Sequence, residues 1–344
     1  MLASSVMHSF VVVMIAAPPA AQYRIESRPV QRIEAILRYA VHGPKLKAKE
    51  WVFVMPVPGK SAAQTDIQSI SKPTSEIIAD LSPLKRPLMR FRIPATNPEK
   101  QQKAAIEIAY RATLHSRRLV LVPANQAVGK GYKLTETERR YYLSPTDSID
   151  WKSAKVQDWI KQNGLQRKQN EGAVDFARRV FQVIRAKYGY VYDFQKERKA
   201  SVICDAGKTD CGGLAVLYAA VLRANGVPAR LLFGRWAESA KPTNGVFFYQ
   251  WHVKSEFFDR FAGWVPVDLT LAISADKTED GRFSFGFDQG KFLTLHVDPD
   301  LRFDTIYYGK VTEAALQMPK VWVIGDGTFE GAQSDQSWIV KKLP

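Results

Sequence analysis

Cys211, His252 and Asp268 are three side chains whose types, brought together, can do chemistry. Cys211 opens the run Asp210-Cys211-Gly212-Gly213-Leu214-Ala215. His252 lies in Tyr249-Gln250-Trp251-His252-Val253, and Asp268 closes Gly263-Trp264-Val265-Pro266-Val267-Asp268. A free thiol is a poor nucleophile at neutral pH, and its thiolate is the reactive species. An imidazole beside it can take the thiol proton and later deliver it to a leaving amine, while a carboxylate fixes the imidazole tautomer and stabilises the imidazolium. Such a set points to acyl transfer through a thioester.

The elements around these residues are suited to positioning them. Thr209 or Asp210 can cap a helix that starts at Cys211, where unpaired N–H groups and the macrodipole favour an anion. Gly212 and Gly213 let another chain segment approach closely. From Leu214 to Leu222 every residue is apolar or aromatic, which predicts a helix buried on all sides, and Asn225-Gly226-Val227-Pro228 stops it. Strands are expected at Ala229–Trp236, Val246–Phe258 and Trp264–Leu269. Period-two alternation sets Gln250, His252 and Lys254 on one face of the middle strand and Tyr249, Trp251 and Val253 on the other. Asp259-Arg260-Phe261-Ala262-Gly263 can join the last two strands as a hairpin, bringing Asp268 beside His252. Alone, each residue has an ordinary reading: a buried small thiol, a structural histidine, a capping aspartate. The combination favours the chemical one.

The surrounding blocks resemble the transglutaminase-like superfamily. Asp210-Cys211-Gly212-Gly213-Leu214-Ala215 with Leu222-Arg223-Ala224-Asn225-Gly226-Val227-Pro228-Ala229-Arg230 is similar to the family's nucleophile block and its exit. His252 with Glu256, then Gly263-Trp264-Val265-Pro266-Val267-Asp268-Leu269-Thr270, is similar to its His and Asp blocks. The resemblance runs from about Ala173 to Thr270. It departs at Lys254, where the family usually has Trp, and at Leu269, where it often has Pro. It implies an α+β, papain-like fold with the nucleophile helix packed on an antiparallel sheet. It also implies Cys211 as nucleophile, His252 as base and acid, and Asp268 as the orienting carboxylate. The backbone N–H of Cys211, with Tyr190 or Tyr192, would form the oxyanion hole. Phe285-Gly286-Phe287-Asp288-Gln289-Gly290-Lys291-Phe292 resembles the tail of bacterial members with an N-terminal β domain. A peptidase or amidase, a protein-glutamine γ-glutamyltransferase and a silent binding protein all remain open. No acidic cluster suggests calcium sites, which favours hydrolysis.

The remaining sequence sets the frame. The 344 residues carry a formal charge of +15, from 49 Lys+Arg against 34 Asp+Glu. That charge is scattered and accompanied by no nucleic-acid signature, so a peptide substrate and an anionic cell-envelope polymer are the expected partners, with no specific nucleic acid. No Cys/His cluster has metal-ligand spacing, and no cofactor is called for. Residues 1–22, with an apolar core from Phe10 to Ala17 too short to span a bilayer, read as a secretory signal cleaved near Ala21. That predicts an exported, periplasmic or secreted protein. Met1–Ser9 holds no Lys or Arg, which keeps a cytoplasmic protein as the alternative. In an exported protein, Cys204 and Cys211 invite a disulfide that would silence Cys211. Residues 23–143, strand-like and punctuated by Pro and Gly, read as a small β-sandwich, with Lys60–Ser75 as a long loop. Residues 144–344 read as the catalytic domain, with its core at 173–270 and an extension at 271–344. A helix is expected at Ala173–Lys187, with Val174, Ala177, Phe181 and Ile184 on one face.

Overall fold

The computed structural model describes residues 22–97, 102–123, 125–126, 129–193, 195–243 and 246–344. The expected signal segment, Gln22 apart, lies outside them. Among the described residues no helix is long and apolar enough to cross a membrane.

Among the described residues, the regular elements from Tyr23 to Leu121 are strands: β1 (Tyr23–His42), β2 (Leu46–Pro56), β3 (Gln64–Lys72), β4 (Glu76–Ala79), β5 (Pro87–Pro94) and β6 (Lys103–Leu121). In β1 the inward residues are Ile33, Ala35, Leu37, Tyr39 and Val41, and in β6 Ile106, Ile108, Tyr110, Ala112 and Leu114. This spacing of two is that of a strand with one buried face. The segment Lys60–Ser75 is not the loop expected of it, because β3 pairs antiparallel with β6. Its alternation was invisible because an edge strand buries little. Thr65, Asp66, Gln68, Ser69 and Ser71 are polar, and the pairing breaks at a bulge where Asp66 has a φ of 52°.

Next come α1 (Glu136–Tyr141), α2 (Ala154–Gln162), α3 (Ala173–Lys187), β7 (Gly189–Tyr190), α4 (Ala200–Ile203), β8 (Lys208–Thr209) and α5 (Cys211–Ala224). They are followed by β9 (Ala229–Trp236), β10 (Lys241–Thr243), β11 (Val246–Phe248), β12 (Trp251–Asp259), β13 (Gly263–Val267) and α6 (Leu269–Ser274). The chain ends with β14 (Phe287–Asp288), β15 (Phe292–Val297), β16 (Leu301–Asp304), β17 (Lys310–Glu313), β18 (Lys320–Gly327) and β19 (Gln333–Leu343).

One sheet has the order β13-β12-β9-β15, antiparallel throughout. Helices α3 and α5 pack on it through a core that includes Val180, Phe181, Leu217 and Val221 from the helices and Leu231, Val253, Phe257 and Val265 from the strands. The expected α3 face (Val174, Ala177, Phe181, Ile184) is buried, joined by Phe176 and Val180. The β12–β13 hairpin forms as its connection suggests, with Asp259 opposite Gly263 and Ser255 opposite Val267.

Two further sheets, β14-β6-β1-β19 with β3 on β6, and β18-β2-β5-β4, enclose a second core around Trp51, Phe53, Phe91, Tyr110 and Trp338. β18 and β19 lie in the segment assigned from sequence to the C-terminal extension 271–344, yet they pair with β2 and β1. The end of the chain thus completes sheets begun at its start.

Buried charge joins the sandwich to the helix-bearing sheet. Arg117 of β6, fully buried, reaches Glu256 of β12 at 2.6 Å and Asp288 of β14 at 3.4 Å. Arg230 of β9 pairs with the same Glu256 at 2.6 Å. Burial alone would raise the carboxyl pKa of Glu256, but the Arg230 and Arg117 guanidiniums outweigh it and hold it below the usual range. In the same way Lys254 and Arg117 outweigh burial at Asp288. Both folded-state values are depressed, so the stability these groups contribute is present above about pH 4 and is lost as pH falls. Removing one partner of such a cluster leaves buried charge uncompensated. Arg117→Met is expected to lower the free energy of unfolding by about 3 kcal/mol or more. Urea titration at neutral pH, followed by fluorescence, checks this; a loss under about 1 kcal/mol would mean that the cluster bears little of the joint.

Candidate active site

Cys211 is the first residue of α5, and Asp210 is its N-cap, the second of the two candidates read from sequence. The Asp210 carboxylate accepts from Gly213 N–H at 3.1 Å, and Arg198 grips the same carboxylate with Nε and Nη2. Thr209 packs against the first turn instead of capping it. A Cβ on Gly213 would stand 2.1 Å from Thr209 Oγ1, which is why this turn carries glycine. From Gly212 to Arg223 every residue of α5 is buried, while Cys211 is partly exposed. The helix is therefore enclosed along its length and reaches solvent only at its two ends, one of which carries the thiol.

The Cys211 thiol is unbridged. Cys204 packs separately in the helix-side core, with its Sγ 3.5 Å from the Ser201 carbonyl, and burial pushes its thiol up to about 11. The disulfide weighed from sequence is absent from this arrangement.

His252 stands on β12 opposite Gly234 of β9, buried at 6% exposure. Its Nε2 is 2.8 Å from Asp268 Oδ2, and the Cys211 side chain is close enough to help raise the imidazole pKa. Because Nε2 is taken by the carboxylate, Nδ1 is the ring nitrogen left for the thiol. Trp236 stacks on the imidazole with centroids 4.9 Å apart and planes at 19°, and Phe292 meets it edge-on at 6.0 Å. Burial opposes the charged ring, but Asp268 and then Cys211 outweigh it and hold the imidazolium up to about 9.

Asp268 does not end a strand. It caps α6, its Oδ1 accepting from Leu271 N–H at 3.0 Å while its Oδ2 holds His252. One carboxylate thus sets the start of a helix and the tilt of an imidazole. Burial raises its pKa, but His252 and Lys254 more than offset this and keep it ionised.

All three residues singled out from sequence therefore meet. They lie in a cleft of about 1280 Å³, whose aromatic lining includes Tyr190, Tyr192, Trp236, Phe247, Tyr249 and Trp251. Tyr190 pairs in register with Thr209 through the parallel β7–β8 contact, two residues before Cys211. Burial raises the Tyr190 phenol pKa, as do the nearby Cys211 and Asp210.

Several supporting residues were missed in the sequence. Trp236 was visible only as the end of a strand. Gln317, far along the chain, donates through Nε2 to the carbonyls of both Gly234 and His252 at 2.7 Å, tying β9 to β12 at the histidine, and no local pattern foretold it. Lys254, where the resembled family has Trp, is buried with its ammonium 4.6 Å from the Trp236 ring and 3.5 Å from Asp288. It lies behind the histidine and does not line the cleft.

Residues 160–269 match the family profile described as the transglutaminase-like superfamily, a span that holds Cys211, His252 and Asp268. Among solved structures the chain is similar to a candidate cysteine protease from Cytophaga hutchinsonii, at 14% identity over 93% of each chain and a TM-score of 0.54. It also aligns with the periplasmic domain of TgpA from Pseudomonas aeruginosa, at 14% identity over 72% of this chain and 91% of that one, with a TM-score of 0.37. Red sea bream transglutaminase aligns at 10% identity over 78% of this chain and 57% of that one, with a TM-score of 0.32. No curated protein matches. At such identities a shared fold is what a likeness conveys, and the Cytophaga protein supplies it over nearly the whole chain. The chain carries a transglutaminase-like core in an α+β fold whose N-terminal region is β.

The folded-state value of His252 is raised above its unfolded value near 6.5. Its contribution to stability is therefore present below that value and is lost as pH rises through about 9. NMR titration of the His252 ring should give a midpoint near 9. Asp268→Asn, which removes the largest attraction, should move that midpoint down by at least a unit, or about 1.4 kcal/mol. An unchanged midpoint would mean that the carboxylate does not hold the proton.

Proposed function

We propose that the protein is a thiol acyl-transfer enzyme acting on a carboxamide of a polypeptide, with Cys211 as nucleophile, His252 as base and acid, and Asp268 orienting His252. The observation that carries this reading is the 2.8 Å His252–Asp268 bond in an open cleft that Cys211 also lines. The enzyme reading fits this arrangement better than a silent scaffold, which has no need of a partly exposed thiol opening a helix buried from Gly212 to Arg223.

The Cys211 proton passes to His252 Nδ1, and the thiolate sulfur attacks the carbonyl carbon, converting the C=O to an oxyanion. The backbone N–H of Cys211 and the Tyr190 phenol are the donors proposed for that oxyanion. As the C–N bond breaks, the imidazolium gives its proton to the departing nitrogen, leaving a thioester on Cys211. Water, deprotonated by His252, then attacks the thioester carbon, and the thiolate leaves with the carboxylic acid released. An amine taking the place of water would give a new amide by the same proton path. The open cleft leads us to propose hydrolysis as the main course, with peptides, including those of a cell envelope, as substrates.

A peptide-hydrolysis assay run beside an amine-incorporation assay tests both halves of this. Cys211→Ala and His252→Ala are each expected to lower kcat/KM by about 10³-fold or more. Activity that survives either substitution would refute the reading. Amine incorporation faster than hydrolysis would reassign the acceptor.

A further inference from the structure

The acyl-transfer reading leaves unexplained a file of aromatic rings that ends at Trp251, the chain neighbour of the histidine. Phe247, Tyr249 and Trp251 occupy alternate positions and touch in turn. The Phe247 and Tyr249 rings are stacked at 5.9 Å and 18°, and the Tyr249 and Trp251 rings are tilted at 5.6 Å. All three line the cleft, and Phe247 is 55% exposed. Exposed aromatic rings in contact are costly in water unless something covers them.

Two observations mark the surroundings of the file as a place of function. Between Tyr249 and Trp251 stands Gln250, a buried non-glycine residue with a φ of 64°. Its carbonyl accepts from Trp236 N–H at 2.8 Å, and its side-chain amide donates to the Ser239 carbonyl at 3.1 Å. A left-handed residue pinned in this way is strain held in place by its neighbours, and such strain collects at functional sites. Trp251 Nε1 and Thr270 Oγ1, both on residues that line the cleft, are buried and have no hydrogen-bond partner among the described residues. Buried polar atoms left without partners are rare in folded proteins and mark places where strain or function is held.

We infer that the Phe247–Tyr249–Trp251 file is the subsite for the leaving-group side of an extended peptide, and that it selects a bulky apolar residue immediately after the scissile carboxamide. The side is set by chemistry. The departing nitrogen must lie at His252, which protonates it, and Trp251 directly precedes His252 on β12, where both residues line the cleft. Selection for apolar bulk follows from the rings that line the file, and Arg235, whose guanidinium lies 5.6 Å from the Trp251 ring, is fully buried. The inference rests on the acyl-transfer reading for its orientation and on the cleft alone for its selectivity.

Peptides that differ only in the residue after the scissile carboxamide (Phe, Leu, Ala or Asp) test it in two ways. They are compared as substrates of the wild type and as ligands of the Cys211→Ala protein, with binding read by tryptophan fluorescence. Phe is expected to be favoured over Asp by about tenfold or more in both kcat/KM and Kd, the scale of an apolar pocket's discrimination. Tyr249→Ala and, separately, the exposed Phe247→Ala should bring that preference to within about threefold. Equal binding of all four peptides, tighter binding of the Asp peptide, no binding at all, or a preference that survives both substitutions would overturn the subsite. Binding to Cys211→Ala requires no turnover. Selective binding without wild-type hydrolysis would therefore count against the acyl-transfer reading and leave the aromatic subsite standing.

Discussion

Enclosure of α5 on all sides is the constraint on which the rest of this structure depends. From Gly212 to Arg223 the helix has no wet face, so α3, the β13-β12-β9-β15 sheet and the chain before its cap must close around it. A helix without a polar stripe cannot sit at a surface, and it meets solvent only at its ends, of which the first turn is one. There the N–H groups that lack helical partners lie beside Cys211, and Asp210 satisfies that of Gly213. The same burial that gives the protein a core therefore presents the thiol at the end of a cleft.

The carboxylates near this end each serve two neighbours. Asp268 caps α6 and holds His252, Asp210 caps α5 and receives Arg198, and Glu256 is shared by Arg117 and Arg230. A buried carboxylate needs compensation for lost hydration, and two partners supply it better than one. This economy also couples elements: a tilt of α6 would move the imidazole, and a shift of β6 would disturb the strand on which His252 stands. The sandwich, which contributes no side chain to the His252–Asp268 pair, is tied to it through Arg117, Asp288 and Lys254.

Much of the site was legible along the chain because its signals are local. A capping aspartate, a cysteine and two glycines before nine apolar residues specify a buried helix and what stands at its start. A turn of five residues between two apolar runs specifies the hairpin. Other readings failed where the signal was weak or remote. β3 was hidden because polar edge strands carry little alternation, and Asp268 was read as the end of a strand because only its contact with Leu271 reveals a cap. Trp236 could be placed against His252 only once β9 was known to neighbour β12.

What the sequence by itself determined, then, is the local chemistry: which thiol opens a helix, which histidine lies on a strand, which carboxylate follows the hairpin, and that helix and sheet must share a core. Tertiary structure decided what brings distant segments together. β18 and β19 return to complete the first two sheets, Gln317 fastens the histidine strand, and Arg117 carries charge from the sandwich into the helix-bearing sheet. The physical reason is one of range. Caps, turns and periodicity act within a few residues, whereas the pairing of strands some three hundred residues apart is chosen by which buried faces and charges find compensation together.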